Sequence, residues 1–266
     1  MVLDRADLSI VNGTGDTRPE ILCRIVISTC RSANRVSENA ASLKLSSALN
    51  YGASPDEISI QDNGWQWPVI VMAAYYEKYG MVDKLRQAGA DILARETGGR
   101  DLTFYYIAHG RLDLLRGISK ELETASYDWM RGVPLELREK SGNLVKWQGC
   151  TALHTATSVG STELMDYLLQ DGRCPNVDVT SKESRTPLHV ASYMGNVEVI
   201  KYLVAHGASV NVIDNELNLP IDLAFMNGAE PAIESLRQLG SMKPIGETGG
   251  GLRLVKRAGK CHYVWI

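Results

Sequence analysis

His154 and His189 stand in closely similar surroundings, TALHTA and TPLHVA. An imidazole titrates near neutral pH, so each is a candidate general acid or base. The chain has no Gly-x-Ser-x-Gly elbow. His109 is a further acid–base candidate, with Tyr105 and Tyr106 as hydrogen-bond donors in the run FYYIAHG. The cysteines Cys23, Cys30, Cys150, Cys174 and Cys261 are odd in number, and no pair has zinc-ligand spacing. Gly249-Gly250-Gly251 lacks the Lys-Ser/Thr that a phosphate-cradling loop needs. No metal site and no cofactor site is read from these residues. The aromatic residues are more suggestive. NGWQWPVIVMAAYYEKYG, residues 63–80, holds Trp65, Trp67, Tyr75, Tyr76 and Tyr79 in a chain that is 7% aromatic. Such a cluster is either core or a surface presented to something.

The elements that position these side chains belong to an ordinary globular chain. It has 266 residues, 44% hydrophobic and 22% charged, with a net charge of −3. That near-balance gives no basic field for nucleic acid or for an anionic membrane. No apolar run is long enough to span a bilayer. The opening MVLDRADLSIVNGTGDTRPE does not read as a secretory signal, so Asn12-Gly13-Thr14 reads as a chance glycosylation match. Unpaired thiols fit a reducing compartment, and the expected setting is cytoplasmic or nuclear.

Internal repetition organises the rest. TALHTATSVGSTELMDYLLQDG, residues 151–172, aligns with TPLHVASYMGNVEVIKYLVAHG, residues 186–207, at an offset of 35. Thr, Leu, His, Ala, Gly, Glu, Leu and Gly recur in the same places. LPIDLAFMNGAEPAIESLRQLG, residues 219–240, holds the frame with Pro220, Ile221, Ala224, Gly228, Leu236 and Gly240. Each unit reads as two helices. Thr186 suits a helix cap and Pro187 the first helical position, while Gly195 turns the chain and Gly207 ends the second helix.

These residues resemble the ankyrin repeat, with its Thr-Pro-Leu-His-x-Ala opening, helix-turn Gly and terminal Gly. The resemblance is specific over 151–240 and divergent over about 60–118. There Pro68 falls at the Thr position, Ala73 and Ala74 at the Ala pair, Glu77 at the helix-turn Gly and Gly89 at the terminal Gly. The resemblance implies an all-α solenoid of about five repeats over residues 19–240. Residues 1–18 form a tail ahead of it. Helices Pro19–Arg31 and about Ser37–Asn50 form an atypical N-terminal cap. An insert lies at about 119–143, and 241–266 is a C-terminal tail or a β-hairpin.

The resemblance also implies that His154 and His189 bond backbone in the repeat loops rather than catalyse, with Asp222 in that place in the last repeat. It implies a scaffold that binds a protein or peptide partner in a concave groove made of loop tips and first-helix faces. Positions in this frame give Trp65, Trp67, Tyr75, Tyr76, Arg100, His109, Trp147, Lys182, Glu183, Arg185, Tyr193, Met194 and Asn215 as partner-facing. The array is expected to act as a monomer. Trp67→Ala or Tyr193→Ala is expected to weaken partner binding without loss of helicity. The alternative is a small apolar ligand, enclosed by the 65–106 aromatics and roofed by the insert with Trp129, in a binding protein or an enzyme using His109. Two minor readings are hydroxylation of Asn211 and capture of the Val264-Trp265-Ile266 end as an added strand.

Overall fold

The computed structural model describes Val26 and residues 35–50, 52–60, 64–138 and 142–241, with the backbone alone of the strands in 252–265. The expected helix Pro19–Arg31, the 1–18 tail, Asn12, Cys23 and Cys30 lie outside the described residues, Val26 apart. The chain forms two compact units that divide between Tyr106 and Ile107.

In the first unit α1 (Arg35–Asn50) packs against α3 (Tyr79–Gln87). Lys84 of α3 reaches back to α1, donating to the Ser42 carbonyl at 2.9 Å and to Ser46 Oγ at 2.8 Å. Between them lie the strands β1 (Ile58–Ile60) and β2 (Gln66–Pro68) and the helix α2 (Val69–Tyr75). β1 and β2 are antiparallel, with Ser59 opposite Trp67. Val69 through Ala74 are all buried, so α2 is an inner helix rather than a two-faced one. The chain leaves α2 through a Schellman turn: Lys78 N–H donates to the Ala73 carbonyl at 2.8 Å and Glu77 N–H to that of Ala74 at 2.9 Å. Glu77 takes φ +58 there, in the place where the later repeat has Gly228 at φ +60. The turn geometry is therefore kept although the glycine is not. Helix α4 (Leu102–Ala108) begins in this unit, capped by Asp101, whose carboxylate accepts from Phe104 N–H at 3.0 Å.

The second unit opens with α5 (Leu112–Gly117) and α6 (Ser119–Thr124), then a hairpin of β3 (Val133–Arg138) and β4 (Leu144–Cys150). Three helix pairs follow: α7 (Ala152–Val159) with α8 (Thr162–Leu169), α9 (Pro187–Met194) with α10 (Val197–Ala205), and α11 (Pro220–Met226) with α12 (Glu230–Gln238). α9 packs between α7 and α11, and α10 packs on α12. The first helices thus form one row and the second helices another. Leu164, Met165 and Leu168 of α8 and Val199, Ile200 and Leu203 of α10 are buried at the spacing of one helical face. The backbone of β5 (Leu252–Arg257) pairs antiparallel with that of β6 (Lys260–Trp265).

The repeats are helical as expected; β1–β4 depart from an all-α reading, while β5–β6 falls within 241–266, where a β-hairpin is one of the two expectations. The insert contributes α6 and the first strand of a hairpin whose second strand, β4, lies wholly past the expected insert boundary. VPLELR and LVKWQ alternate apolar and polar residues with a period of two, which makes a half-buried strand and not a helix.

Three non-glycine residues sit at sharply positive φ in repeat turns, Glu77 at +58, Ser184 at +59 and Leu217 at +68. A side chain there costs about 1–2 kcal/mol, offset in part by the extra unfolded-state entropy of glycine. Glu77→Gly and Leu217→Gly should each raise stability by up to about 1 kcal/mol, read as a higher urea midpoint. A fall in the midpoint would show that the side chain itself holds the turn.

Candidate functional site

The loops that precede the inner helices are built from the cap outward. Thr151 N–H donates to His154 Nδ1 at 3.1 Å, which leaves Nε2 carrying the proton, and Nε2 lies 2.9 Å from the Arg185 carbonyl of the next loop. His189 repeats this, with Thr186 N–H at 3.0 Å and the Asn218 carbonyl at 3.2 Å. Asp222 takes over the first half of the task by accepting from Leu219 N–H at 2.7 Å. Burial pushes the His154 imidazole down to about 4 and moves His189 in the same direction. Both rings are wholly buried and neutral, and they position loops.

The loop tips are then laced to one another. Lys182 N–H donates to the Gln148 carbonyl at 3.0 Å, and Gln148 N–H to Glu183 Oε1 at 3.0 Å. Asn215 N–H donates to the Glu183 carbonyl at 2.8 Å, and Asn215 Nδ2 to that of Lys182 at 3.0 Å. Lys182 and Asn215 stay exposed at the edge of this ladder, and Glu183 is half-buried in it. Arg185 was expected on the same rim and is buried instead. Its Nε bonds Asp214 Oδ2 at 3.0 Å, its Nη2 bonds Glu216 Oε2 at 3.2 Å, and its guanidinium lies 4.4 Å from the Trp147 ring centre.

Trp147 and Tyr193 also depart from the expected exposure, at 2% and 8% accessible. The β3–β4 hairpin is the reason. Leu135 pairs across the hairpin with Trp147, and Leu137 with Val145. These four residues make its apolar side. That side packs on Val190 and Tyr193 of α9 and Leu223 of α11, with the Trp147 and Tyr193 rings 5.4 Å apart. Both strands also run against α7. Glu136 and Lys146 occupy the other side and pair at 3.9 Å in water. The inner face of the helix row is therefore covered by the chain's own insert. What stays exposed is a line of apolar residues at the C-terminal ends of the inner helices: Val159, Met194, Phe225 and Met226, the last at 67%.

In the first unit Tyr75 and Tyr76 are the exposed aromatics, at 47% and 41%. Tyr75 is the hub, with ring centres 4.9 Å from Tyr76, 5.2 Å from Trp67 and 5.7 Å from Tyr105. Trp65 and Trp67 are half-buried. Tyr105 and Tyr106, the expected hydrogen-bond donors of an enzyme, are buried among these rings and other core residues, and burial drives the Tyr105 hydroxyl far up. The rings fill the space between themselves as packing. Arg100 lies 5.2 Å from the Phe104 ring centre. His109 follows α4 in the second unit and is half-buried.

Residues 135–214 and 171–241 match the family model for ankyrin repeats, in three copies. Ankyrin repeats are thus detected within residues 135–241. The comparison with curated proteins gave no match to the chain. Ankyrin repeats generally mediate protein–protein interaction. In the ankyrin frame the exposed line falls just before the turn glycines Gly160, Gly195 and Gly228. Val159, Met194 and Met226 could be read from that frame, whereas Phe225 could not, because it stands one residue nearer the helix start. The covering of the ankyrin inner face went unread too, although the period-two alternation of 133–138 and 144–148 carried its signal. Among the described residues no helix is long and apolar enough to cross a membrane.

Two outcomes follow from this packing. Trp147→Ala and Tyr193→Ala should each cost about 3 kcal/mol of stability by opening a cavity under the hairpin, seen as a lower urea midpoint. Unchanged midpoints would put those rings outside the core. For the imidazoles, an unfolded histidine takes a proton below about pH 6.5, but the folded His154 only near 4. The folded state therefore loses stability as pH falls through that window, on the order of 3 kcal/mol for such a ring. Urea melts from about pH 7 to about pH 4.5 should show the decline, and His189→Gln should flatten it; an unaltered slope would reject the assignment.

Proposed function

We propose that the chain is a protein-binding module whose ankyrin unit docks a partner protein or peptide on two features. One is the line Val159, Met194, Phe225 and Met226. The other is the edge of the loop ladder, with Lys182, Glu183 and Asn215. The observation that carries this reading is the exposed line itself. Four large apolar side chains recur at the C-terminal ends of the three inner helices α7, α9 and α11. Exposed apolar side chains grouped on a rigid surface, rimmed by polar ones, are what binding hot spots are made of. The loop edge supplies charge and amide groups already held in place by backbone bonds, so little ordering entropy is lost on docking.

Tyr75 and Tyr76 are proposed as a second contact surface, on the first unit. Two neighbouring exposed tyrosines offer a large contact area with few rotatable bonds. The aromatic residues behind them act as support. The small-ligand reading gains no specific observation, since Trp67, Tyr75 and Tyr105 lie against one another.

The test is a pull-down from the native source with the intact chain and with a Met194→Asp/Met226→Asp double variant. Both positions are exposed, so helical circular dichroism should not change. Partner recovery should drop at least about tenfold, the size of effect expected when hot-spot side chains are lost. Equal recovery of the same proteins by both chains would reject the site. A parallel Tyr75→Ser/Tyr76→Ser variant reports on the first unit alone.

A further inference from the structure

The β3–β4 hairpin is additional to the repeats, yet it lies on the surface where their inner helices face outward. Its two sides differ sharply. Leu135, Leu137 and Trp147 are buried, while Glu136, Arg138 and Lys146 are exposed. The surface below is equally apolar, made by Val190, Tyr193 and Leu223. Beside Tyr193, the next residue Met194 is exposed, so the apolar character continues past the cover. The hairpin is held at its base. Gly132 and Gly149 are so close that a Cβ on Gly132 would lie 2.6 Å from Gly149 Cα, and a Cβ on Gly149 would lie 2.6 Å from Lys182 Cγ. Gly149 also takes φ +65. Beyond this base the hairpin has two strands only, and an isolated two-stranded hairpin is marginal in water. Its order therefore depends on the surface it covers.

We propose that β3–β4 is a tethered occupant of the ankyrin inner face, and that Val190, Tyr193 and Leu223 bind, in exchange for it, an extended partner segment that alternates large apolar with polar residues. The hairpin itself displays the chemistry that this face accepts: Leu-x-Leu on one strand and Val-x-Trp on the other. A segment with the same alternation buries the same kind of side chain and keeps its polar residues in water. The tether gives the hairpin a high effective concentration, so a weak segment is excluded and only a strong or multivalent one displaces it. Displacement would swing the hairpin about its glycine base and free its charged side as well. This goes beyond the exposed docking line and does not rest on it.

The experiment uses the full chain, its Leu135→Asp/Leu137→Asp variant, and a fluorescein-labelled synthetic peptide of residues 133–149. The double variant places two charges on the hairpin's apolar side and should expel it. Fluorescence anisotropy should show the peptide binding the variant at least about tenfold more tightly than the intact chain, because the internal competitor is gone. A peptide carrying the same two Asp substitutions should not bind either protein. Hydrogen exchange over 187–194 should rise in the variant and fall again when the unmodified peptide is added. Equal affinity for both proteins, or equal binding of the substituted peptide, would overturn the proposal. So would loss of helical circular dichroism in the variant, because the hairpin would then be a fixed part of the fold. Because the probe is a defined peptide, these results stay separate from failure of the pull-down.

Discussion

A buried neutral imidazole that accepts an amide proton from its own helix cap and gives its own proton to the next loop joins one repeat to its neighbour. His154 does this between Thr151 and Arg185, and His189 between Thr186 and Asn218. Each ring meets three demands at once. It satisfies an orphan N–H at a helix start, it satisfies a loop carbonyl, and it fixes the distance between two inner helices. The spacing of the loop ladder follows from that distance, and so does the alignment of Gln148, Lys182, Glu183 and Asn215. The cost is a group that must stay uncharged, which ties the fold to pH.

With the loops set in this way, the helices behind them present a regular apolar face, and the protein spends part of its chain on covering it. The hairpin from the insert places Trp147 against Tyr193 and under the Arg185 guanidinium. Arg185 is thereby a buried link rather than a surface cation: it holds Asp214 and Glu216 while lying over the indole. Its backbone carbonyl is the one that His154 reads. Loop spacing, ion pairing and hairpin docking consequently meet at a single residue. Changes at Arg185 act on all three, so they report poorly on binding.

The first unit uses the same turn with different chemistry. Its Schellman turn is closed by Glu77 in place of glycine, and its inner helix ends in Tyr75 and Tyr76. The opening quartet Trp65, Trp67, Tyr75 and Tyr76 thus separates. Tyr75 and Tyr76 remain at the surface and the two tryptophans are half-buried, Trp67 being in ring contact with Tyr75. The frame of the repeat did not give the accessibility of these residues.

The sequence by itself determined the repeats, because capping Thr, first-position Pro, inward Leu and turn Gly are local requirements that each helix pair must meet from its own residues. The ankyrin resemblance also implied the structural role of His154 and His189, since the cap N–H that each accepts lies three residues away, although the carbonyl each donates to comes from the next repeat's loop. Only the tertiary structure decided which groove residues are accessible. Tyr193 and Arg185 sit at positions that face outward in a bare repeat, and they are buried because the β3–β4 hairpin, with Trp147 on its apolar side, folds over them. The local alternation of 133–138 and 144–148 encodes two half-buried strands, but where their apolar face comes to rest depends on a match with a surface made by α9 and α11, far along the chain.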